Sequence, residues 1–419
     1  MRVAIVGGGA AGLTTAWLLD RQHQVTLFER DDRLGGHADT RTVEVDGRPF
    51  DVDAGFQFFS PGPAYATFNR LLDALGIARE SYPATLTVAD MRSGRAVAMP
   101  PASAGRVAWS SLAPDALSTL LRFRRFIDRL PAFLARNDSS VTVADYLEHE
   151  RLPKAFTDEF LVPLLLSFWC VDREAFLGFA ARNAFHYLGV NAGSGLRAPV
   201  QSEIPGGLRV YVDALVASLE RTTVRTDAAI TRLAREHGHL LVETADGGVH
   251  EFDRVVLACN PRVAAGLVAG IPELAGMRTQ LERFRTFQTR IAIHGDRRLM
   301  PRDEASWSVV NARWDGVHSS LTVWNPRRGL PVFKSWITHD DELPDPLHAL
   351  VTYEHGMITP EYFDAQATLK GLNGAGGLWL AGLYMHDVDS HESAVRSAVT
   401  VALALAPDSA RLRELIGPR

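Results

Sequence analysis

Residues 1–29 read MRVAIVGGGAAGLTTAWLLDRQHQVTLFE. Arg2 to Val6 is a short β-rich run, and Gly7-Gly-Gly-Ala-Ala-Gly12 follows it at once. A helical apolar pattern fills Leu13 to Leu19, and Gln24 to Glu29 is a second buried-strand pattern that ends in an acid. The order is strand, G-x-G-x-x-G, helix, strand, acid, which is the opening unit of a parallel α/β sheet that binds a dinucleotide. Gly7 permits the tight turn, Gly9 lets the backbone approach a pyrophosphate, and Gly12 lets the helix pack on the strand. Ala10 and Ala11 begin the helix whose free N–H groups and positive end suit phosphate. Glu29 is placed to accept hydrogen bonds from the adenosine ribose hydroxyls, with Arg30 beside it. A glycine run without these flanking strands would be only a turn.

The motif alone does not choose NAD over FAD. The next residues do. Arg33-Leu-Gly-Gly-His37 comes a few positions after the acid, and Phe50-Asp-Val-Asp-Ala-Gly-Phe56 soon after. Two adjacent glycines, Gly35 and Gly36, let the backbone run against a long, extended dinucleotide. On these residues the chain resembles the flavin amine-oxidase superfamily, which includes monoamine oxidases, phytoene desaturases and protoporphyrinogen oxidases. Its members carry an acid, then Gly-Gly-Arg, then Asp-x-Gly. His37 stands here where an Arg is usual, so that phosphate contact is not carried over. The Gly-Gly-His form and the stretch DVDAGFQFFS look more like a bacterial subgroup of FAD-binding proteins linked to fatty-acid modification. The resemblance implies non-covalent FAD, with Gly35, Gly36, His37, Gly55 and Phe56 along it. It also implies backbone contacts to the adenine from the strand that holds Ile230.

Beyond residue 60 the character changes. Segments such as DALSTLLRFRRFIDRLPAFLA and VADYLEHERLPKAFTDEFLVPLLLSFWC are helical in period and rich in aromatics, which read as core. A β meander with an Asp246-Gly-Gly turn and a buried strand from Arg254 to Cys259 then return to the nucleotide unit. Four strand patterns follow: TRIAIHGD, SWSVVNA, SSLTVWN and PVFKSWI. The expected fold is α/β, a Rossmann-like FAD-binding domain (1–60, 200–265 and 370–419) interleaved with an α+β substrate domain (61–199 and 266–369), as in amine oxidases.

Gly377 to Leu383 reads as the last strand of the nucleotide sheet, and DVDSHESAVRSA (387–398) leads from it into a helix. In the resembling family this strand, loop and helix lie beside the flavin ring, with the helix N-terminus at its pyrimidine edge. Unpaired N–H groups and a positive helix end stabilise the negative charge that reduction places there. Small residues at Ser393 and Ala394 let the backbone come close, and Gly382 and Glu392 join the cofactor set. Two departures stand out: Leu383 where the family often has an acid, and Ser393 where it has Gly.

Two readings stay open for His391: an orienting group or base near flavin and substrate, or a loop histidine flanking the helix. Glu392 has a sufficient structural reason in the helix dipole. Lys334 is either the lysine that many amine oxidases place near flavin N5 or a solvated strand lysine. No histidine spacing suggests a metal site.

Composition bounds the function. The 419 residues carry 44 basic and 49 acidic side chains, a net charge of -5, which favours neither nucleic acid nor an acidic membrane as a general partner. Two cysteines and a first strand at the very start fit a reducing, cytoplasmic setting. No apolar run reaches the roughly 20 residues of a membrane span. The expectation is an FAD-dependent oxidoreductase taking a hydride from a hydrophobic small molecule, with oxygen or an unidentified carrier as electron acceptor. The alternatives are an amine oxidase acting on a C–N bond, a non-redox flavin-using isomerase, and a binding protein that keeps the fold without FAD. The acidic balance speaks against the isomerase, and the intact glycine motif with Glu29 against the binding protein.

Overall fold

The computed structural model describes residues 1–103, 105–191, 198–325 and 329–417. Arg2–Val6 lies at the centre of a five-stranded sheet whose order is Thr223–Arg225, Gln24–Phe28, Arg2–Val6, Arg254–Leu257, Leu378–Leu380, with every pair parallel. Its period-2 alternation sends Val3 and Ile5 into one core and Ala4 and Val6 into another. The first core is closed by the helix Ala10–Leu19, which packs on the helix His391–Leu405. The second is closed partly by the meander Ile230–Glu236, His239–Thr244, Val249–Phe252. Both faces are thus covered, as a parallel sheet requires.

A seven-stranded sheet forms the floor of the other half. Its order is Leu347–Gly356, Thr286–His294, Phe333–Trp336, Ser319–Trp324, Val310–Trp314, Leu86–Asp90, Ala96–Met99, antiparallel except for the pair Val310–Trp314 and Leu86–Asp90. Against it stands a helical layer that includes Pro114–Leu134, Val143–Glu150 and Ala181–Asn191. Phe126, Phe133, Tyr146 and Phe185 pack edge-on in its core, as the aromatic density of this segment predicts.

Three differences from the sequence reading have physical causes. Leu86–Asp90 and Ala96–Met99 lie in a segment read as helical, yet they join the large sheet. Runs of four or five residues carry too few periods to choose a structure, and their partner strand comes from far downstream. Leu347–Gly356 lies at the sheet edge with only one fully buried residue, so it lacks the alternation that marks a strand. The strand expected from Ser306 begins only at Val310. Before it, Ser306 O accepts from Thr87 Oγ1 at 2.6 Å and the Ser308 amide donates to Asn311 Oδ1 at 2.9 Å, which turns that backbone away from the ladder.

Candidate active site

The two ends of the glycine turn are walled so closely by backbone that side chains are excluded there. A Cβ on Gly12 would sit 1.8 Å from Gly7 O, and one on Gly7, at φ +109°, would sit 2.6 Å from Ala258 O. The turn opens the helix Ala10–Leu19, whose N-cap is Gly9 with no side-chain cap. Among the described residues nothing accepts from the amides of Ala11 and Gly12, the first intrahelical bond being Leu13 N to Gly9 O at 2.9 Å. Gly35 N donates to Gly8 O at 2.8 Å, and Gly36 lies so near Gly9 that its Cβ would be 3.2 Å from Gly9 Cα. The two glycine pairs therefore form one backbone-lined cradle with an uncapped helix start, a shape and polarity that fit a diphosphate.

Glu29 stands at the edge of this cradle. Its Oε2 accepts from the Gly8 amide at 2.6 Å and its Oε1 from the Asp31 amide at 3.0 Å, which leaves lone pairs on both oxygens. Arg30 turns away: its side chain is 70% exposed and pairs with Asp31 at 3.4 Å. Ile230 begins the meander two residues after Ala228, whose amide donates to Glu29 O at 2.8 Å. Its backbone is thus beside the acid.

At the far end of the cradle, the stretch 53–56 is held from several sides. Gly55 is pressed against His37, whose O would lie 2.1 Å from a Cβ and accepts from Phe56 N at 3.0 Å. Lys334, buried on the strand Phe333–Trp336, donates through Nζ to Asp53 O and Gly55 O, both at 2.9 Å. Its ammonium stands 5.2 Å from the Trp336 ring centroid. Burial lowers its pKa to about 8, against the opposing pull of Asp53 and Glu203. The solvated-strand reading of Lys334 therefore does not hold. His37 is an exposed residue whose ring stacks on His355 at 5.4 Å, and desolvation together with nearby Arg33 pushes its pKa down.

The helix His391–Leu405 closes the corner. Ser390 caps it, its Oγ accepting from Ser393 N at 3.1 Å, while Ser393 Oγ donates to Val388 O at 2.6 Å. Ala394 N reaches Ser390 O at 3.3 Å, so the amides of His391 and Glu392 are the ones left without an acceptor among the described residues. Gly382, at φ +149°, donates its amide to Ser397 Oγ at 2.8 Å and ties the last strand to this helix.

Two residues here depart from expectation. The Glu392 carboxylate does not face the cradle. It accepts from the amides of Thr67 at 3.0 Å and Phe68 at 2.8 Å, and so caps the helix Ala66–Ala74. His391 lies in an aromatic cage. It stacks on Phe56 at 4.3 Å and 3°, meets Phe68 edge-on at 4.7 Å, and shares a 3.0 Å hydrogen bond with Tyr211 Oη through Nε2. Burial drives its pKa down to about 3. An imidazole so placed is a weak base at neutral pH, and its Nε2 is already engaged by Tyr211, which runs against the general-base reading.

One group was missed. Asp389 has its amide fixed by Asn183 Oδ1 at 2.8 Å, and burial raises its carboxyl pKa to about 6. No hydrogen bond or ion pair to this carboxylate occurs among the described residues, whereas its neighbour Asp387 pairs with Arg182. In the sequence it is one acid among several in a polar loop, and nothing local distinguishes it. The thiols of Cys170 and Cys259 are free and pushed up to about 12 by burial, so both stay protonated. The fold also brings Asp172, His318 and His339 together, with ligand atoms within 4.8 Å of one another, although their sequence spacing is too wide to show. The two imidazoles stack at 4.2 Å and 8°, so their lone pairs run side by side instead of converging.

A parallel nucleotide sheet, a mixed sheet under a helical layer, and a backbone cradle where they meet make up the two-domain fold of flavin-dependent amine oxidases. The chain belongs to the flavin containing amine oxidoreductase family, whose family model matches residues 10–286. A flavin is the cofactor of that family, and the cradle fits one. A carotenoid phi-ring synthase of Streptomyces griseus is 28% identical over 309 residues, 68% of this chain and 57% of that protein's length. Among solved structures, the CLA-producing fatty acid isomerase from P. acnes superposes with TM-score 0.67 at 15% identity, covering 96% of this chain and 98% of its own. Cyclohexylamine oxidase from Brevibacterium oxydans gives TM-score 0.67 at 15% identity, covering 97% and 99%. These two share the fold. Among the described residues no helix is long and apolar enough to cross a membrane.

Proposed function

We propose that this chain binds FAD non-covalently and uses it to remove a hydride from a largely apolar, lipid-like small molecule, at a C–C or C–N bond. The observation that carries the reading is the meeting of two helix starts that keep free amides, at Ala10 and His391, on one glycine-lined cradle edged by Glu29. The turn Gly7–Gly12 would hold the diphosphate, Glu29 the ribose, Gly35 and Gly36 the extended backbone run, and Ile230 the adenine through its main chain. A bound flavin supplies acceptance of two electrons.

The chain's own residues supply the rest. The free amides of His391 and Glu392, at the positive end of a 15-residue helix, are fixed donors for negative charge. Lys334 spends two N–H groups on the 53–55 backbone and keeps a third for a water or a polar substrate atom. Asp389 is the acid of this corner that can exchange a proton near neutral pH. Phe56, His391 and Tyr65 form a dry wall suited to an apolar substrate. The carotenoid-ring relative points the same way. The division into 1–60, 200–265 and 370–419 against 61–199 and 266–369 belongs to this proposal. So does a cytoplasmic setting, which two unpaired cysteines support.

The test is an absorbance spectrum of the purified protein, then acid precipitation, then anaerobic reduction with fatty acyl compounds and with amines. The reading expects a flavin spectrum, colour in the acid supernatant, and bleaching by the acyl compounds. A colourless protein, or colour that stays in the pellet, would overturn the cofactor assignment. Bleaching by small polar amines alone would overturn the apolar substrate class, while bleaching by apolar amines and not by acyl compounds would assign the C–N bond.

A further inference from the structure

The outer face of the helical layer carries apolar side chains that no described residue covers. Trp109 is 75% exposed, Leu121 59%, and Leu112 and Leu117 about two fifths. Trp109–Leu112 is a single turn that packs against the start of the helix Pro114–Leu134. Leu117 and Leu121 lie one helical turn apart on that helix, and Arg125 continues the same stripe.

The charges around this stripe are not balanced. Arg122 and Arg125 are exposed and form no ion pair among the described residues. Their acidic neighbours are already engaged: Asp115 and Glu159 with Arg95 at 2.5 and 3.9 Å, Asp128 with Arg124 at 2.8 Å, and Glu150 with Arg129 at 2.9 Å. Arg122 and Ala155 line one cavity of about 230 Å³, which brings the exposed, unpaired Lys154 next to the helix. A chain of net charge -5 therefore presents a local surface of Trp, Leu and unpaired cations.

We infer that this face, Trp109 to Arg125, docks the protein on an anionic lipid bilayer. An amphipathic surface of this kind lies in the interface plane. Its Trp and Leu enter the headgroup boundary and its cations meet acidic headgroups. Charge complementarity selects a bilayer over a second copy of the chain, because a two-fold contact would set Arg122 and Arg125 against their own images. The inference does not depend on the reaction proposed above.

The experiment is co-sedimentation of the full, flavin-loaded chain with vesicles of equal parts phosphatidylglycerol and phosphatidylcholine, and with phosphatidylcholine alone. Wild type should pellet with the anionic vesicles and be released by salt. Trp109→Ser and Leu121→Ser should each lower the partition coefficient about tenfold. The double variant Arg122→Gln, Arg125→Gln should lower it roughly twentyfold on anionic vesicles only. Flavin content checks that each variant is folded. Wild type left in the supernatant would overturn the inference, as would variants that pellet like wild type. A dimer on gel filtration that the same substitutions dissociate would also overturn it, by assigning the face to a subunit contact.

Discussion

The two helix starts at the cradle are built in opposite ways. The one at Ala10 is made of absence: no cap, no acid in its first turn, and glycines where a Cβ would strike backbone. The one at His391 is made of side chains: a serine cap, a buried carboxylate that serves another helix, and an imidazole locked between rings. Both leave amides free. The first does so by steric exclusion and so tolerates no side chain at Gly7 or Gly12. The second does so through a polar network that can be dismantled one bond at a time.

That contrast sets an order of expected damage. Gly12→Ala should be worst, because the clash at 1.8 Å is with backbone and cannot be relieved by a rotamer. We expect a loss of about 4 kcal/mol or more in stability and no bound flavin, measured by denaturant unfolding and absorbance. If Gly12→Ala unfolds like wild type, the steric account of the first helix start fails.

Glu392→Ala comes next. It removes two charge-assisted bonds and uncaps the helix Ala66–Ala74, at about 3 kcal/mol, while Glu392→Gln should recover part of that. Loss of flavin with unchanged stability would return Glu392 to the cofactor. Glu29→Ala should weaken flavin binding by about 2–3 kcal/mol, read as flavin lost on gel filtration at low concentration.

Two predictions concern pH. The His391 pKa falls from its ordinary value of 6.5 to about 3 on folding. Between these values the unfolded chain binds a proton that the folded chain does not. Stability is therefore complete above pH 6.5 and is lost as pH falls, by about 2 kcal/mol between pH 6.5 and 5. His391→Phe, which keeps the stack on Phe56, should flatten that slope in thermal melts. Asp389 has the opposite sign. Its carboxyl is raised from 3.8 to about 6, so the folded chain holds the extra proton and stability falls as pH rises from 3.8 to 6. Asp389→Asn should therefore stabilise by about 1 kcal/mol at pH 7–8, after allowance for partial solvent screening. The same change should remove an acid limb near pH 6 from the rate of anaerobic reduction. Identical profiles for Asp389→Asn and wild type would make it a spectator.

What could be read in the sequence follows the same division. Gly7, Gly12 and the pair Gly35–Gly36 announce themselves because excluded volume and positive φ act on near neighbours and only glycine meets them. Val3 and Ile5 against Ala4 and Val6 announce a buried strand by alternation. The roles of His391, Glu392 and Asp389 could not be read that way. They are set by Phe56, Tyr211, Thr67, Phe68 and Asn183, which reach them from elsewhere in the chain. For the same reason Leu86–Asp90 passed for part of a helical segment: its identity as a strand lies in Val310–Trp314.

The bond from Phe68 N to Glu392 spans 324 residues. At a synthesis rate of roughly 5–20 residues per second, the two ends emerge from the ribosome about 15 to 65 seconds apart. The amides that open helix Ala66–Ala74 have no such partner during that interval. The nucleotide turn can form early, but the wall of the site that shares helix 66–74 waits for the last strand and helix to arrive. Cofactor capture is then a late event in the life of the nascent chain.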